Sequence, residues 1–343
     1  MAYDGVLDDV RKCIALEKPG RVPVFAISLD FDIGHCGSNY LEYGGNLDRM
    51  VDVAVRSNKE FDYDWVLLHP DDYVEFETII ATELTESFPA RPRRYLTPSR
   101  ETIRSFRIPD FMRERRMPVH LEALSRIKDR LSDTVCVTSR LSTPFDAAAF
   151  IFGITDTLML TIENKDVLRR AMAFFLEMEA EWARQLIRAG ADAIWISACQ
   201  ESSKFISPET FEEFAAEGAR EISKAIKREG GIAYFHAAES SEAHLKIAAD
   251  LGFDIINVGE GIDIGRAKEL LGKKVCVSGN LSTIRTLMNG TPDDVERETK
   301  RIMVSGMSAG GYIFNTEENT PVQVPEANLR TMMATAKKHG SYR

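Results

Sequence analysis

A single-domain (β/α)8 barrel is the fold class this sequence predicts, and three observations carry it. Short β-branched and apolar runs recur eight times along the 343 residues. Helix-period segments separate most of them, and such alternation builds parallel sheets covered on both faces. The turn after the first run reads Ser28-Leu29-Asp30-Phe31-Asp32, with no glycine-rich phosphate loop. An open, doubly wound sheet normally carries such a loop there, so the closed barrel is the expectation.

Taken in order, the expected strands are 22–28, 63–69, 134–138, 191–198, 231–237, 253–258, 274–279 and 311–315. Each is nearly continuous in apolar residues, as a parallel strand buried on both faces should be. Amphipathic periodicity predicts helices over 166–190, 208–230, 241–252 and 292–307. Ser207-Pro208-Glu209 reads as an N-cap followed by proline in the first turn. Gly190, Gly230 and Gly252 stand where helices should stop. One domain is expected over 1–343, with an irregular excursion at about 81–131 that holds several prolines and the basic run Arg91-Pro92-Arg93-Arg94. That excursion is either partial cover for the barrel mouth or a solvated insertion.

Composition narrows the class of function. Hydrophobic residues make up 44% of the chain, enough for a sizeable core. The 53 acidic against 43 basic side chains leave a net charge of −10, which argues against nucleic acid or anionic lipid as a partner. Cys13, Cys36, Cys136, Cys199 and Cys276 are odd in number and show no CxxC spacing, so reduced thiols are expected. No apolar signal core opens the chain and no run approaches a bilayer span, which makes the cytoplasm the expected location.

In this architecture chemistry gathers at the C-terminal ends of the strands. Those positions supply Asp30, Asp32 and His35; then His69, Asp71 and Asp72; then Ser139, Arg140 and Ser142; then Cys199, Gln200 and Glu201. The later strands add His236 and Glu239, Glu260, Ser278 and Asn280, and finally Asn315, Glu317 and Glu318. Close carboxylates cannot all stay ionised without a cation or shared protons. Imidazole with carboxylates suits zinc, with a position left open for substrate or water. Asp71-Asp72 equally reads as a helix cap, and Glu317-Glu318 as a solvated turn. Cys199 has no adjacent basic residue to favour its thiolate, so packing is its expected role.

Four stretches of the last third resemble the uroporphyrinogen decarboxylase superfamily. They are Phe205-Ile206-Ser207-Pro208-Glu209-Thr210-Phe211, Ala233-Tyr234-Phe235-His236, Val277-Ser278-Gly279-Asn280-Leu281 and Gly310-Gly311-Tyr312-Ile313-Phe314. The resemblance implies a (β/α)8 barrel and one of two activities: porphyrinogen decarboxylation, or zinc-dependent methyl transfer with corrinoid proteins. The decarboxylase branch grips its polycarboxylate substrate with arginines after the first strand, whereas 28–48 here contains no arginine or lysine. The methyltransferase branch carries a His-x-Cys pair after the fifth strand and a Cys after the eighth. This chain keeps the histidine as His236, has Ala238 in place of the first cysteine and Glu318 in place of the second.

The resemblance therefore implies zinc held by His236, Glu260 and Glu318, with Glu239 as a further catalytic group, a ligand or a partner of one. Asp72 is also expected to be catalytic. Asp30, His69, Tyr73 and Asn280 are expected to shape the substrate pocket, and Phe31, Tyr40, Tyr73 and Phe76 to offer aromatic walls. A harder zinc site suits methyl abstraction from an O-methylated donor, an aryl methyl ether, with a corrinoid on a partner protein as acceptor. A homodimer is among the expected assemblies. The alternatives are decarboxylation of a porphyrinogen or smaller carboxylate without metal, and a non-catalytic corrinoid-binding homologue.

Overall fold

The computed structural model describes residues 3–342. Seven parallel strands form one curled sheet in the order β1 (Trp65–Leu68), β4 (Cys136–Ser142), β5 (Ala193–Ser197), β6 (Ile232–Glu239), β7 (Ile255–Val258), β8 (Cys276–Ser278), β9 (Tyr312–Ile313). A short antiparallel pair, β2 (Thr82–Glu83) with β3 (Arg91–Pro92), stands apart from it.

The eighth stave is the first apolar run. Val24 bridges Phe314 in parallel, the Phe25 N–H donates to Phe314 O (3.1 Å), and the Asp64 N–H donates to Val24 O (2.9 Å). The run thus lies between the last strand and the first, and the barrel is closed. The Asp64 carboxylate seals this seam by accepting from the Val24 N–H (2.9 Å) and pairing with Arg21. Residues 22–28 fill the expected place but form a bridge rather than a full strand. Pro23 offers no N–H to a ladder. From Ser28 the backbone turns into a helix, Leu29–His35, so Asp30, Asp32 and His35 sit on a helix rather than a strand-end loop.

The third expected strand also differs. Its apolar run stops at Thr138, but β4 continues to Ser142, and Thr138, Ser139, Arg140 and Ser142 are all buried. Polar side chains are tolerated inside the barrel because they find partners there. The Ser139 hydroxyl donates to Leu68 O (3.2 Å) and meets His120 Nε2 at 2.7 Å.

The helices follow their signals. Lys165–Arg188 covers β4 and β5, and Ala216–Arg228 covers the neighbouring face. The Ser207 side chain accepts from the Thr210 N–H, as an N-cap should. Gly190 and Gly230 terminate their helices at φ +112° and +87°, a region that side chains with a Cβ disfavour. The stretch 81–131 contains the β2–β3 pair, a short helix Arg100–Arg104, and a regular helix Met117–Leu131 that buries Leu121, Leu124 and Ile127. Arg116, at the start of that helix, is pinned to the strand ends by Asp71 (2.6 Å) and Glu77 (2.7 Å). Among the described residues no single helix is long and apolar enough to cross a membrane.

Candidate functional site

The register of β5 against β6 builds the first part of the site. Ser197 pairs with His236, and the Ala198 N–H donates to His236 O (2.9 Å). A tight turn, Cys199–Glu201, then carries Cys199 back over the histidine ring. Glu318 arrives from the segment beyond β9. The Cys199 sulfur, a His236 ring nitrogen and a Glu318 carboxylate oxygen all lie within 4.8 Å of one another. His236 Nε2 is 3.4 Å from the Glu318 carboxylate.

A ladder of neutral groups sets the histidine tautomer. Asn315 Nδ2 donates to the Tyr234 hydroxyl (3.1 Å), and Asn257 Nδ2 donates to Asn315 Oδ1 (3.4 Å). Asn257 Oδ1 therefore faces His236 Nδ1 at 2.9 Å and accepts its proton. This assignment follows from the amide network. It leaves Nε2 with its lone pair aimed at Cys199 and Glu318 when the ring is neutral. Trp195 packs on the other side of the ring, centroids 4.3 Å apart.

The electrostatics of the three groups are mutual. Burial alone would depress the His236 pKa, but the Glu318 carboxylate and the Cys199 sulfur raise it to about 10. Burial raises Glu318, and the imidazolium beside it pulls it below the usual carboxylate range. Burial dominates at Cys199 and pushes its pKa up, with His236 opposing. Two acids and a base held this closely suit a cation that would replace their protons.

The cluster opens into a cavity of about 230 Å³ whose lining also includes His69, Asp72 and Arg140. Asp72 Oδ1 takes both the His69 Nε2 contact and the Arg140 Nε ion pair, each at 3.1 Å. Burial opposes ionisation of Asp72, yet Arg140 and His69 hold its pKa far below the carboxylate range. Arg140 is itself buried, with Nη1 on Glu75 (3.1 Å) and Nη2 on the Ser142 hydroxyl (2.9 Å). Behind it Glu179 is fully buried, and burial, with Glu75 nearby, pushes its pKa well up. Apolar surface in the same cavity comes from Leu29, Leu67, Phe150 and Trp195.

The other expected site residues lie elsewhere. Glu239 is buried and accepts from the Ser203 N–H (2.6 Å), the Ser203 hydroxyl (2.7 Å), and the N–H groups of Ser240 and Ser241 (both 2.6 Å). A bulge between His236 and Glu239 turns it that way, with Ala238 at φ +45°. Gly259 packs so close that a Cβ there would lie 2.3 Å from Ala238 O. Glu260 is half exposed and pairs with Arg285 (3.4 Å), outside the three-residue cluster. Asn280 donates to Gly259 O and Ile262 O (2.8 Å each), a tie between loops. Asp30 faces the Tyr40 hydroxyl.

The expected aromatic walls are corrected too. Phe31, Tyr73 and Phe76 are buried in the core, and Tyr73 meets the cavity only by packing edge-on to Phe150. Phe150 and Trp195, which sequence reasoning passed over, take that place. Cys199, expected only to pack, joins the cluster because its basic neighbour comes from the adjacent strand and not from the adjacent sequence. A cysteine two residues beyond a strand end, in a barrel whose next strand carries a histidine near its C-terminal end, was the available signal.

Comparison with known proteins agrees with this geometry. The family model described as uroporphyrinogen decarboxylase (URO-D) matches residues 8–339. The methylcobamide:CoM methyltransferase MtaA of Methanosarcina barkeri is 24% identical over 231 residues, 67% of this chain and 66% of that protein. The chain thus spans just under two thirds of that relative's length. A uroporphyrinogen decarboxylase of Chlorobium luteolum is 28% identical over 166 residues, 47% of this chain and 46% of that one. A solved methyltransferase structure from Methanosarcina mazei superposes with a TM-score of 0.87 at 19% identity, covering 97% of this chain and 98% of that one. The chain is a (β/α)8 barrel that belongs to the uroporphyrinogen decarboxylase family.

Proposed function

We propose that the protein is a corrinoid-dependent methyltransferase that takes a methyl group from a small O-methylated donor and passes it to a corrinoid held by a partner protein. The observation that carries this reading is the convergence of Cys199, His236 and Glu318 at one end of a small cavity. A thiolate, an imidazole and a carboxylate from three strand ends make a donor set that suits zinc, with a fourth position toward the cavity. When bound, the metal would act as a Lewis acid on the methyl-bearing heteroatom.

The chain's own groups do the rest. Asn257 orients His236, and Trp195 fixes the plane of its ring. Leu29, Leu67 and Phe150 exclude water from the methyl group. Ser197, held by Asp146 (2.8 Å), and Gln200 supply neutral polar atoms to the same cavity. The proposed ligands retain two anionic groups and one neutral group, as a His/Cys/Cys set would. Glu260 and Glu239 stand outside that set because Arg285 and four N–H and O–H donors, respectively, hold them. The acidic charge and reduced cysteines fit a cytoplasmic enzyme.

A second reading has its own support. Cys199 brings a sulfur to the cluster, and the MtaA relative is a methylcobamide:CoM methyltransferase, so the methyl group would run from corrinoid to thiol. Decarboxylation of a porphyrinogen is disfavoured by the cavity itself. Its single arginine has every nitrogen engaged, so no guanidinium is left to grip the substrate's carboxylates.

The purified chain, loaded with zinc, is to be mixed with cob(I)alamin and 2-methoxyphenol while the cobalt spectrum is followed. Methylation of the cobalt supports the lead. Demethylation of methylcobalamin by a thiol, with no reaction of the ether, supports the second reading. Absence of both, in protein that holds zinc, overturns the methyltransferase assignment.

A further inference from the structure

The part of the cavity lined by His69, Asp72 and Arg140 has a definite polarity, and it bears on which donors can enter. Asp72 is held from behind: its Oδ1 meets both His69 Nε2 and Arg140 Nε at 3.1 Å. Its Oδ2 meets no donor among the described residues, and 43% of the side chain is accessible where it lines the cavity. Two anchors on one oxygen fix the other as an acceptor at the cavity surface.

The cation behind Asp72 is not available to a ligand. Arg140 Nε is on Asp72, Nη1 on Glu75 and Nη2 on Ser142, and the guanidinium plane lies over Phe150 at 5.0 Å. Asp72, Glu75, Asp146 and Glu179 all act on this one arginine. Three other cationic groups approach the cavity, and the first, His236, is paired with Glu318 at 3.4 Å. His69 already directs Nε2 at Asp72, and exposed Lys204 acts on Glu318 from the rim. A carboxylate set against Asp72 would meet a like charge with no free guanidinium beside it, while the metal position at Cys199, His236 and Glu318 would be taken by the methyl-bearing heteroatom. Bidentate recognition by arginine, the usual way to hold a carboxylate, has no geometry available.

We infer that the methyl donor is a small neutral or cationic molecule that gives an O–H or N–H to Asp72 Oδ2, and that donors bearing a carboxylate are rejected. This rests on the proposed function in taking the cavity as the donor site. A ligand that displaces water from this acceptor without giving it a hydrogen bond leaves it unmet at a cost, so discrimination should be strong on the O–H side as well as on the charge side.

Calorimetric titration of the full chain with 2-methoxyphenol, methoxybenzene and 3-methoxybenzoate tests this without requiring turnover. Wild type should bind 2-methoxyphenol about tenfold or more tightly than either of the others. In Asp72→Asn the disadvantage of 3-methoxybenzoate against 2-methoxyphenol should shrink to about threefold or less, because the repelling charge is gone. Equal binding of 3-methoxybenzoate and 2-methoxyphenol by wild type overturns the inference, as does failure of all three to bind. The wild-type comparison stands even where Asp72→Asn folds poorly. If 2-methoxyphenol binds selectively yet never methylates cob(I)alamin, the recognition stands and the proposed reaction fails.

Discussion

Acidification should weaken this fold through one histidine, and the size of the effect can be worked out. His120 is 3% exposed, with Nε2 on the Ser139 hydroxyl at 2.7 Å and Nδ1 without a partner. Burial, reinforced by His69 and Arg116, depresses its pKa from 6.5 to about 3. A depressed histidine binds fewer protons in the folded chain than in the unfolded one, so stability falls as pH falls. The contribution is fully present above pH 6.5 and is lost progressively down to about pH 3. Two pH units below the unfolded value, at about pH 4.5, it amounts to roughly 2.5 kcal/mol. Urea unfolding of wild type and His120→Gln at pH 7.5 and at pH 4.5 isolates it, since the carboxylates titrate alike in both proteins. Wild type should lose about 2.5 kcal/mol more than His120→Gln across that interval. Equal losses would refute the burial argument for this residue.

Three further outcomes follow from the same geometry. Glu239→Gln should cost about 2–4 kcal/mol in urea unfolding, because the four donors around it lose a charged acceptor. The folded variant should keep its metal, and loss of metal from folded protein would return Glu239 to the ligand set. Asn257→Leu removes the acceptor for His236 Nδ1–H and should weaken zinc binding about 10–100-fold, read by competition with a chromogenic chelator. An unchanged zinc affinity would contradict the tautomer assignment. Arg140→Met should destabilise the chain by about 3–5 kcal/mol, since Asp72 and Glu75 lose their buried cation. A variant as stable as wild type would show that those carboxylates are protonated without it.

The barrel was legible because its signals are local. The helices over 166–190 and 208–230 follow from periodicity, an N-cap at Ser207 and stops at Gly190 and Gly230, all of which act within a turn or two of chain. The first stave was placed correctly although it is bridged at Val24 alone, since Pro23 weakens its ladder without altering its burial. β4 was read short because Ser139, Arg140 and Ser142 are polar, and their burial depends on partners from other elements.

The site was legible only in part, for the same reason. His236 and Glu318 face one another as the resemblance suggested. Cys199 was set aside because its neighbours in sequence are not basic, yet β5–β6 register places an imidazole beside it. Glu260 falls at a strand end like the others, but Arg285 across the loop claims it. Glu239 is turned by a bulge that no periodicity reveals. Which carboxylate at a barrel mouth joins a site is decided by loop contacts, and those are not written in any single segment.

The central claim is that Cys199, His236 and Glu318 together hold a metal at the cavity. Zinc content of the purified, folded chain, measured beside Cys199→Ser, His236→Ala, Glu318→Gln and Glu260→Gln, tests it most directly. About one zinc per wild-type chain is expected, retained in Glu260→Gln and lost or sharply weakened in the other three. A wild-type chain that binds no zinc, or one that keeps it when Cys199 and Glu318 are replaced, would contradict the account.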